Sequence, residues 1–513
     1  MSGNRHLDAA RRYHDATIHS PQSVRAGGHR LDWDTKPGPF KIYPDLPVVP
    51  LPRDFPVPVK DALPALSAAP AGEAPLDLER LAAILFFTAG VTKRKEYPGG
   101  GVMYFRAAPS TGALYQTEVY VVAAAVDGLA SGVYHFSPGD FALRRLRDGD
   151  FRGALAIAAA DDELASHPAT LVLTAIYWRN TWKYQARGYR HLFWDSGSML
   201  ANALAAASAL DVPARAITGF VEIEVNGLLG VDAEKEGALL LAPLGVAGSS
   251  PPASPVVAAL APSVIPLSSS EVDYPLLRDA YANSSLDAES EVQAWREAAW
   301  SPAPTTDGPR VTLPPPRAAA GRTLADTVVA RGSTREFSAA AISADELSAA
   351  LWHATRGWSA DVPAGLVDLY LTVHAVEGIE PGAYAYHPAA HALELVRGGT
   401  FRGESAHLCL DQALGGMSAA TVFFLGDLSR VLDVFGNRGY RVANLEAGAI
   451  GGRLYLAAYA QRFGATGLTF YDREVVTFFA PHATGKDALF VTALGRSVRG
   501  VARSPAPLQI SRT

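Results

Sequence analysis

Short runs of alternating apolar and polar positions, separated by glycine-bearing turns, recur in two stretches of this chain. Each stretch ends in a long segment that is apolar on most sides. Glu118–Ala123 and Asp368–Val373 have the β-rich character of strands, and each leads through a glycine turn into a tyrosine-bearing strand, predicting meander hairpins. Thr170–Ile176 and Ala420–Leu425 are continuous apolar runs suited to the middle of a sheet. From about Leu192 to Leu210, and from Ala443 to Phe463, Ala, Gly and Leu fill most faces, predicting a helix buried all round.

The two stretches are copies of one another. Val126-Asp-Gly-Leu-Ala-Ser-Gly-Val-Tyr134 matches Val376-Glu-Gly-Ile-Glu-Pro-Gly-Ala-Tyr384 at a spacing of 250. Phe151-Arg-Gly153 matches Phe401-Arg-Gly403, Arg187-Gly-Tyr-Arg190 matches Arg438-Gly-Tyr-Arg441, and Leu244-Gly245 matches Leu494-Gly495, all at 250 or 251. A nearly constant offset of this kind marks an internal repeat, and it decides the architecture. The expected division is an extended arm over 1–60 packed by its aromatics, a first domain over 61–248, a linker with docked helix over 249–320, a second domain over 321–500, and a tail over 501–513. Pro/Ser-rich flanks around a helical stretch, Glu271–Trp300, define the linker.

Composition narrows the function classes. A chain of 513 residues, 49% hydrophobic and 19% charged, is long enough for at least two cores. A formal net charge of −6 gives no basic footprint for nucleic acid. Proline interrupts the longest uncharged stretch, Gly237–Ser270, so no membrane span is expected. The N-terminus does not read as a secretion signal, and a lone cysteine, Cys409, reads as a small core residue in a cytoplasmic protein. The histidines show no ligand spacing and no metal is expected; Gly99-Gly100-Gly101 reads as a flexible loop rather than a phosphate cradle.

Three segments carry candidate chemistry. Pro109-Ser-Thr-Gly112 is a turn whose backbone N–H groups and two hydroxyls could line a planar polar ligand. Trp178–Arg190 interleaves four aromatics with four cations just before the buried helix, more aromatic than a solvated basic patch requires. Arg331-Gly-Ser-Thr-Arg335 can offer a guanidinium fork and hydroxyls to one phosphate, and Arg496 follows a later strand.

These residues resemble the nitroreductase superfamily, and within it the SagB/ThcOx-type dehydrogenases that include azoline oxidases of peptide natural-product pathways. The resemblance covers both copies and extends to the arm, with Tyr13–Ser20 and Leu31-Asp-Trp33. It implies an α+β fold in which two tandem nitroreductase-like domains form an intramolecular pseudo-dimer that binds FMN at its interface. It places the phosphate on Arg331, Ser333, Arg335 and Arg496 of the second copy. It places the flavin edge at Pro109, Ser110, Thr111 and Gly112 of the first, and makes Lys183 and Tyr184 catalytic. Tyr184 is the expected base, its pKa lowered by Lys183 or Arg187. At an offset of 251 the Lys-Tyr pair falls on Val434 and Phe435, so one complete site per chain is expected.

The implied activity is FMN-dependent oxidation of a C–C or C–N bond, as in azoline to azole, on a small-molecule or peptide substrate, with other biosynthetic enzymes as possible partners. An NAD(P)H-dependent nitro or quinone reductase, and a non-catalytic scaffold, are the alternatives.

Overall fold

The computed structural model describes residues 3–6, 8–27, 29–68, 72–98, 101–248, 253–302, 308–498, 505–508 and 510. Gly99, Gly100, the first residues of the linker and most of the tail lie outside them.

Each copy builds an antiparallel sheet of the same order. In the first copy the strands Ala142–Asp148, Gly132–Ser137, Thr117–Ala123, Ala169–Ile176 and Glu236–Leu244 lie side by side. In the second they are Ala392–Gly398, Gly382–His387, Asp368–Val373, Ala420–Gly426 and Asp487–Gly495, with Gly464–Gly467 added at one edge. Even the irregularities repeat: each sheet shifts register at Val133/Tyr134 or Ala383/Tyr384, and again at Leu173/Thr174 or Phe424/Leu425. An exposed sheet edge invites pairing with another chain. Here Val48–Pro50 of the arm covers one edge and Arg310–Thr312 of the linker covers the equivalent one.

The arm is less extended than its prolines suggest. Asp8–Ala16 is a helix with Ala9, Ala10, Tyr13 and His14 buried, a spacing that places them on one face.

The two long helices, Gly188–Ala209 and Arg438–Ala460, cross at the centre of the molecule between the sheets, and their contact is the most extensive between any two elements. Glycine permits the crossing: a Cβ on Gly197 would lie 2.3 Å from the Leu445 carbonyl, and one on Gly448 2.4 Å from that of Trp194. Trp194 Nε1 donates to Asn444 Oδ1 at 2.8 Å, and Ser198 Oγ to the Gly448 carbonyl at 3.0 Å.

The repeated Arg-Gly-Tyr-Arg motif locks the halves together. Arg187 and Arg190 of the first copy both pair with Asp472 of the second, at 3.0 and 2.5 Å. Arg438 and Arg441 of the second pair with Glu222 of the first, at 2.5 and 2.6 Å. Tyr189 and Tyr440 lie parallel with centroids 6.4 Å apart, and Tyr13 packs edge-on against both. All four arginines are buried, so these reciprocal clamps bind the halves into one α+β pseudo-dimer.

Candidate active site

Trp178–Arg190 is a structural element for most of its length. Tyr177–Tyr184 is a helix in which every residue from Tyr177 to Trp182 is buried. Arg179 binds Glu118 and the Tyr115 carbonyl, Trp178 Nε1 donates to Ser268 at 2.7 Å, and Trp182 Nε1 to the Asp32 carbonyl at 2.8 Å. The last two residues differ: Lys183 and Tyr184 are partly exposed, with the Lys183 Nζ 5.3 Å from the Tyr184 ring centre. Gln185 then turns to a positive φ of 50° and ends the helix.

The Pro109–Gly112 turn meets that helix end. Gly112 has φ 65°, and a Cβ there would lie 2.9 Å from the Tyr184 hydroxyl, so a side chain at this position would collide with the phenol. The two hydroxyls of the turn do not face outward as expected. Ser110 Oγ donates to Asp195 at 2.6 Å and Thr111 Oγ1 at 2.8 Å, with the Thr111 N–H at 2.8 Å and Gln116 Nε2 at 2.7 Å completing four contacts to that carboxylate. The turn's hydroxyls therefore fix its shape.

Asp195 was not singled out by sequence, although an acid inside an otherwise apolar helix was a signal, and its counterpart recurs 251 residues on. That counterpart, Glu446, accepts from the Gly365 and Leu366 N–H groups at 2.7 and 2.8 Å and so holds the equivalent turn. Burial pushes Asp195 up to about 6 and Glu446 up to about 7, against the pull of the donors around them. A raised carboxyl favours folding while it is protonated. The contribution is complete below about pH 4 and is lost as pH rises through the folded values. Asp195→Asn should therefore flatten the decline in urea midpoint between about pH 4 and 6.5; an unchanged decline would show that Asp195 is ionised throughout.

From the second copy, Arg331 reaches across to the first. Its Nε donates to the Ala107 carbonyl at 3.1 Å and its terminal nitrogen to the Arg106 carbonyl at 2.9 Å, at the foot of the Pro109–Gly112 turn. Ser333 Oγ lies 3.3 Å from the Tyr455 hydroxyl. Arg335 is exposed, has no hydrogen-bond or ion-pair partner among the described residues, and is the cation that acts on both Lys183 and Tyr184. The structure thus brings together Pro109–Gly112, Lys183, Tyr184, Arg331, Ser333 and Arg335, from both halves.

Two expected residues are placed elsewhere. Arg187 is held by Asp472 and by the Thr17 carbonyl, and it does not supply the cation for Tyr184. Arg496 pairs with Glu346 at 2.7 Å and donates to the Ala341 carbonyl, so its guanidinium is already matched by a carboxylate. The expected lowering of Tyr184 is also reversed: burial and the nearby Asp195 push the phenol up to about 12, and Arg335 only partly offsets them. Lys183 moves down, through burial and the neighbouring Arg335.

The equivalent place in the other half is closed. There the Ala216 N–H donates to the Ser359 carbonyl at 2.8 Å, and the Asp361 N–H to the Ala216 carbonyl at 3.1 Å. Asp361 also accepts from Thr218 and Gly219. Trp300 of the linker donates to the Gly365 carbonyl at 3.2 Å and packs on Phe435, the residue in the position of Tyr184. In the first place the corresponding segments, 107–112 and 464–469, share no hydrogen bond among the described residues. A surface hollow of about 590 Å³ lined by His407, Leu408, Glu474 and Phe478 involves none of these groups.

The model of the nitroreductase family matches residues 71–246 and again 328–495. The chain belongs to the nitroreductase family. This nitroreductase-family protein is 33% identical over 172 residues to a protein of Methanocaldococcus jannaschii named as a nitroreductase, a match covering 33% of this chain and 81% of that one. It is 28% identical over 130 residues to the microcin B17-processing protein McbC of Escherichia coli, covering 24% of this chain and 48% of McbC. A crystal structure named as a nitroreductase, from Anabaena variabilis, superposes with a TM-score of 0.77 at 27% identity, over 95% of this chain and 99% of that one. The paired architecture is therefore shared over the full length of another chain, and oxidoreductase activity follows from the family.

Proposed function

We propose that this oxidoreductase is an FMN-dependent dehydrogenase of the SagB type that oxidises a C–C or C–N bond in a peptide-derived substrate, such as an azoline to an azole, after other biosynthetic enzymes have formed the ring. The observation that carries this reading is that Arg335 of one half lies near enough to act on both Lys183 and Tyr184 of the other, beside segments 107–112 and 464–469, which share no hydrogen bond among the described residues. The likeness to McbC supports the substrate class.

The residues present fit FMN. Arg335, unmatched by any described carboxylate, and Ser333 suit the phosphate, with Arg331 bracing the foot of the flavin-edge turn. The backbone groups of 107–112 and 464–469, which are not bonded to one another among the described residues, are the ones left to meet a planar ring. When bound, FMN would supply the two-electron acceptor for a hydride, with dioxygen as the final oxidant.

The chain's own task is proton handling. At neutral pH the raised phenol of Tyr184 stays protonated and offers its O–H as a donor, while burial and the nearby Arg335 lower Lys183 from the ordinary lysine range. Of the two, Lys183 Nζ is the group we assign to accept the substrate proton, and the Tyr184 hydroxyl the one to orient the substrate.

With the second place closed by backbone pairing and Trp300, one FMN per chain is expected when released flavin is quantified against protein. Charge-assisted bonds contribute about 1.5 to 3 kcal/mol each, so Arg335→Ala should purify largely without flavin while its circular dichroism is unchanged. Two flavins per chain, or a fully loaded variant, would overturn the assignment.

A further inference from the structure

The Arg-Gly-Tyr-Arg motif stands at the start of both long helices, yet its first arginine is not used in the same way twice. In each copy Nη1 takes a carboxylate of the other half and one backbone carbonyl: Asp472 and Thr17 for Arg187, Glu222 and Ser284 for Arg438. In each copy the guanidinium also lies over the ring two residues before that carboxylate, Phe470 at 5.3 Å and Phe220 at 4.8 Å.

The remaining edge differs. Arg438 Nε and Nη2 both donate to the Thr218 carbonyl, at 2.8 and 2.5 Å. Arg187 Nε and Nη2 are buried and meet no acceptor among the described residues. Leu468 stands 250 residues after Thr218 in the repeat, but it follows the strand Gly464–Gly467, and its N–H donates to the Val491 carbonyl at 3.2 Å. No hydrogen bond joins its carbonyl to Arg187. A buried donor left unpaired is costly, most of all on a charged group. The open edge of Arg187 is therefore a receptor, and Arg438 shows what that edge is shaped to hold: one carbonyl oxygen.

Position assigns the receptor to the redox site. Arg438 reaches Thr218, in the segment that Asp361 seals in the closed place. Arg187 holds the equivalent position in the open one, over the residue that follows segment 464–469. Burial and then Arg187 push His191 well below the ordinary histidine range, and the His191 ring meets that of Tyr184 edge-on at 4.6 Å.

We propose that Arg187 receives a carbonyl oxygen of the substrate through Nε and Nη2, so that the enzyme takes azolines whose reacting ring carbon bears a carbonyl group, as one formed within a peptide does. The inference deepens the azoline reading above and rests on it. When the proton of that carbon passes to Lys183 Nζ, the electron pair of the broken C–H bond spreads onto the carbonyl oxygen. A guanidinium fixed at that oxygen stabilises the charge as it develops.

The test uses the flavin-loaded full chain and titration calorimetry with two unreactive rings, thiazole-4-carboxamide and 4-methylthiazole. The wild type should hold the carboxamide about ten- to a hundredfold more tightly, the range for a hydrogen bond to a charged group. Arg187→Met should bind the two alike. It should also fold, because Asp472 keeps Arg190 as a one-to-one partner. Arg187→Lys keeps a charge beside Asp472 but not the planar fork, and should lose most of the difference with its flavin retained. Single-turnover reduction of the flavin by a thiazoline peptide tests the parent reading separately. A wild type that reacts with the peptide yet binds both rings alike, or neither, keeps that reading and overturns this one. Discrimination that survives in a folded Arg187→Met would overturn it too. So would loss of flavin from a folded Arg187→Lys, which would give the fork to a carbonyl of the flavin ring instead.

Discussion

Lys183→Met is expected to abolish turnover of a thiazoline-bearing peptide while leaving the flavin bound. General-base groups contribute about 10²- to 10⁴-fold in rate, and Lys183 is an amine beside Tyr184 whose pKa burial and Arg335 lower. Lys183→Arg should not rescue it, because a guanidinium stays protonated. Tyr184→Phe should cost less, about fivefold, the worth of one hydrogen bond of roughly 1 kcal/mol. The two losses should not add, since both residues serve one proton transfer. Activity should rise with pH as Lys183 loses its proton and fall below that range. Dithionite should still bleach both variants. The decisive measurement is single-turnover flavin reduction by the peptide: a Tyr184→Phe loss larger than that of Lys183→Met would return the base role to the phenol. Wild-type rates in both would favour the NAD(P)H-dependent reductase instead.

Asp472→Asn should destabilise the whole chain by about 3 to 5 kcal/mol, because it leaves Arg187 and Arg190 buried without a counter-charge. Glu222→Gln removes the reciprocal partner of Arg438 and Arg441 and should cost a similar amount. Burial alone would raise the Asp472 carboxyl, but Arg187 and Arg190 more than reverse this and hold it at about 2. The stability it contributes is therefore present above about pH 4 and is lost as pH falls toward 2. Denaturant unfolding at pH 7 and pH 3 checks both parts: the Asn variant should be weaker at pH 7 and should lose less on acidification. Unfolding in two steps would mean that the clamps are not what couples the halves.

The repeat, the alternation of strand and helix within it, and the burial of the long helices and of Cys409 were legible in the sequence, which also brought Pro109–Gly112, Lys183–Tyr184 and Arg331–Arg335 to notice as candidates. These are local matters, set by side-chain period and by motifs of a few residues. Tertiary structure decided what each segment touches. The Arg-Gly-Tyr-Arg motif was legible twice, but its partners lie 285 and 216 residues away, and Asp472 and Glu222 carry no mark of their own beyond sharing the repeat's spacing. Asp195 looked like a helix residue until the turn folded onto it. Arg496 matched a motif, yet Glu346 claims its guanidinium. The direction of the Tyr184 shift depended on burial and on Asp195, neither of which adjacency to Lys183 could reveal. Closure of the second place rests on pairing between Ala216 and 359–361, with Trp300 above it. Such pairing is a product of how the halves dock, so composition and periodicity could not contain it.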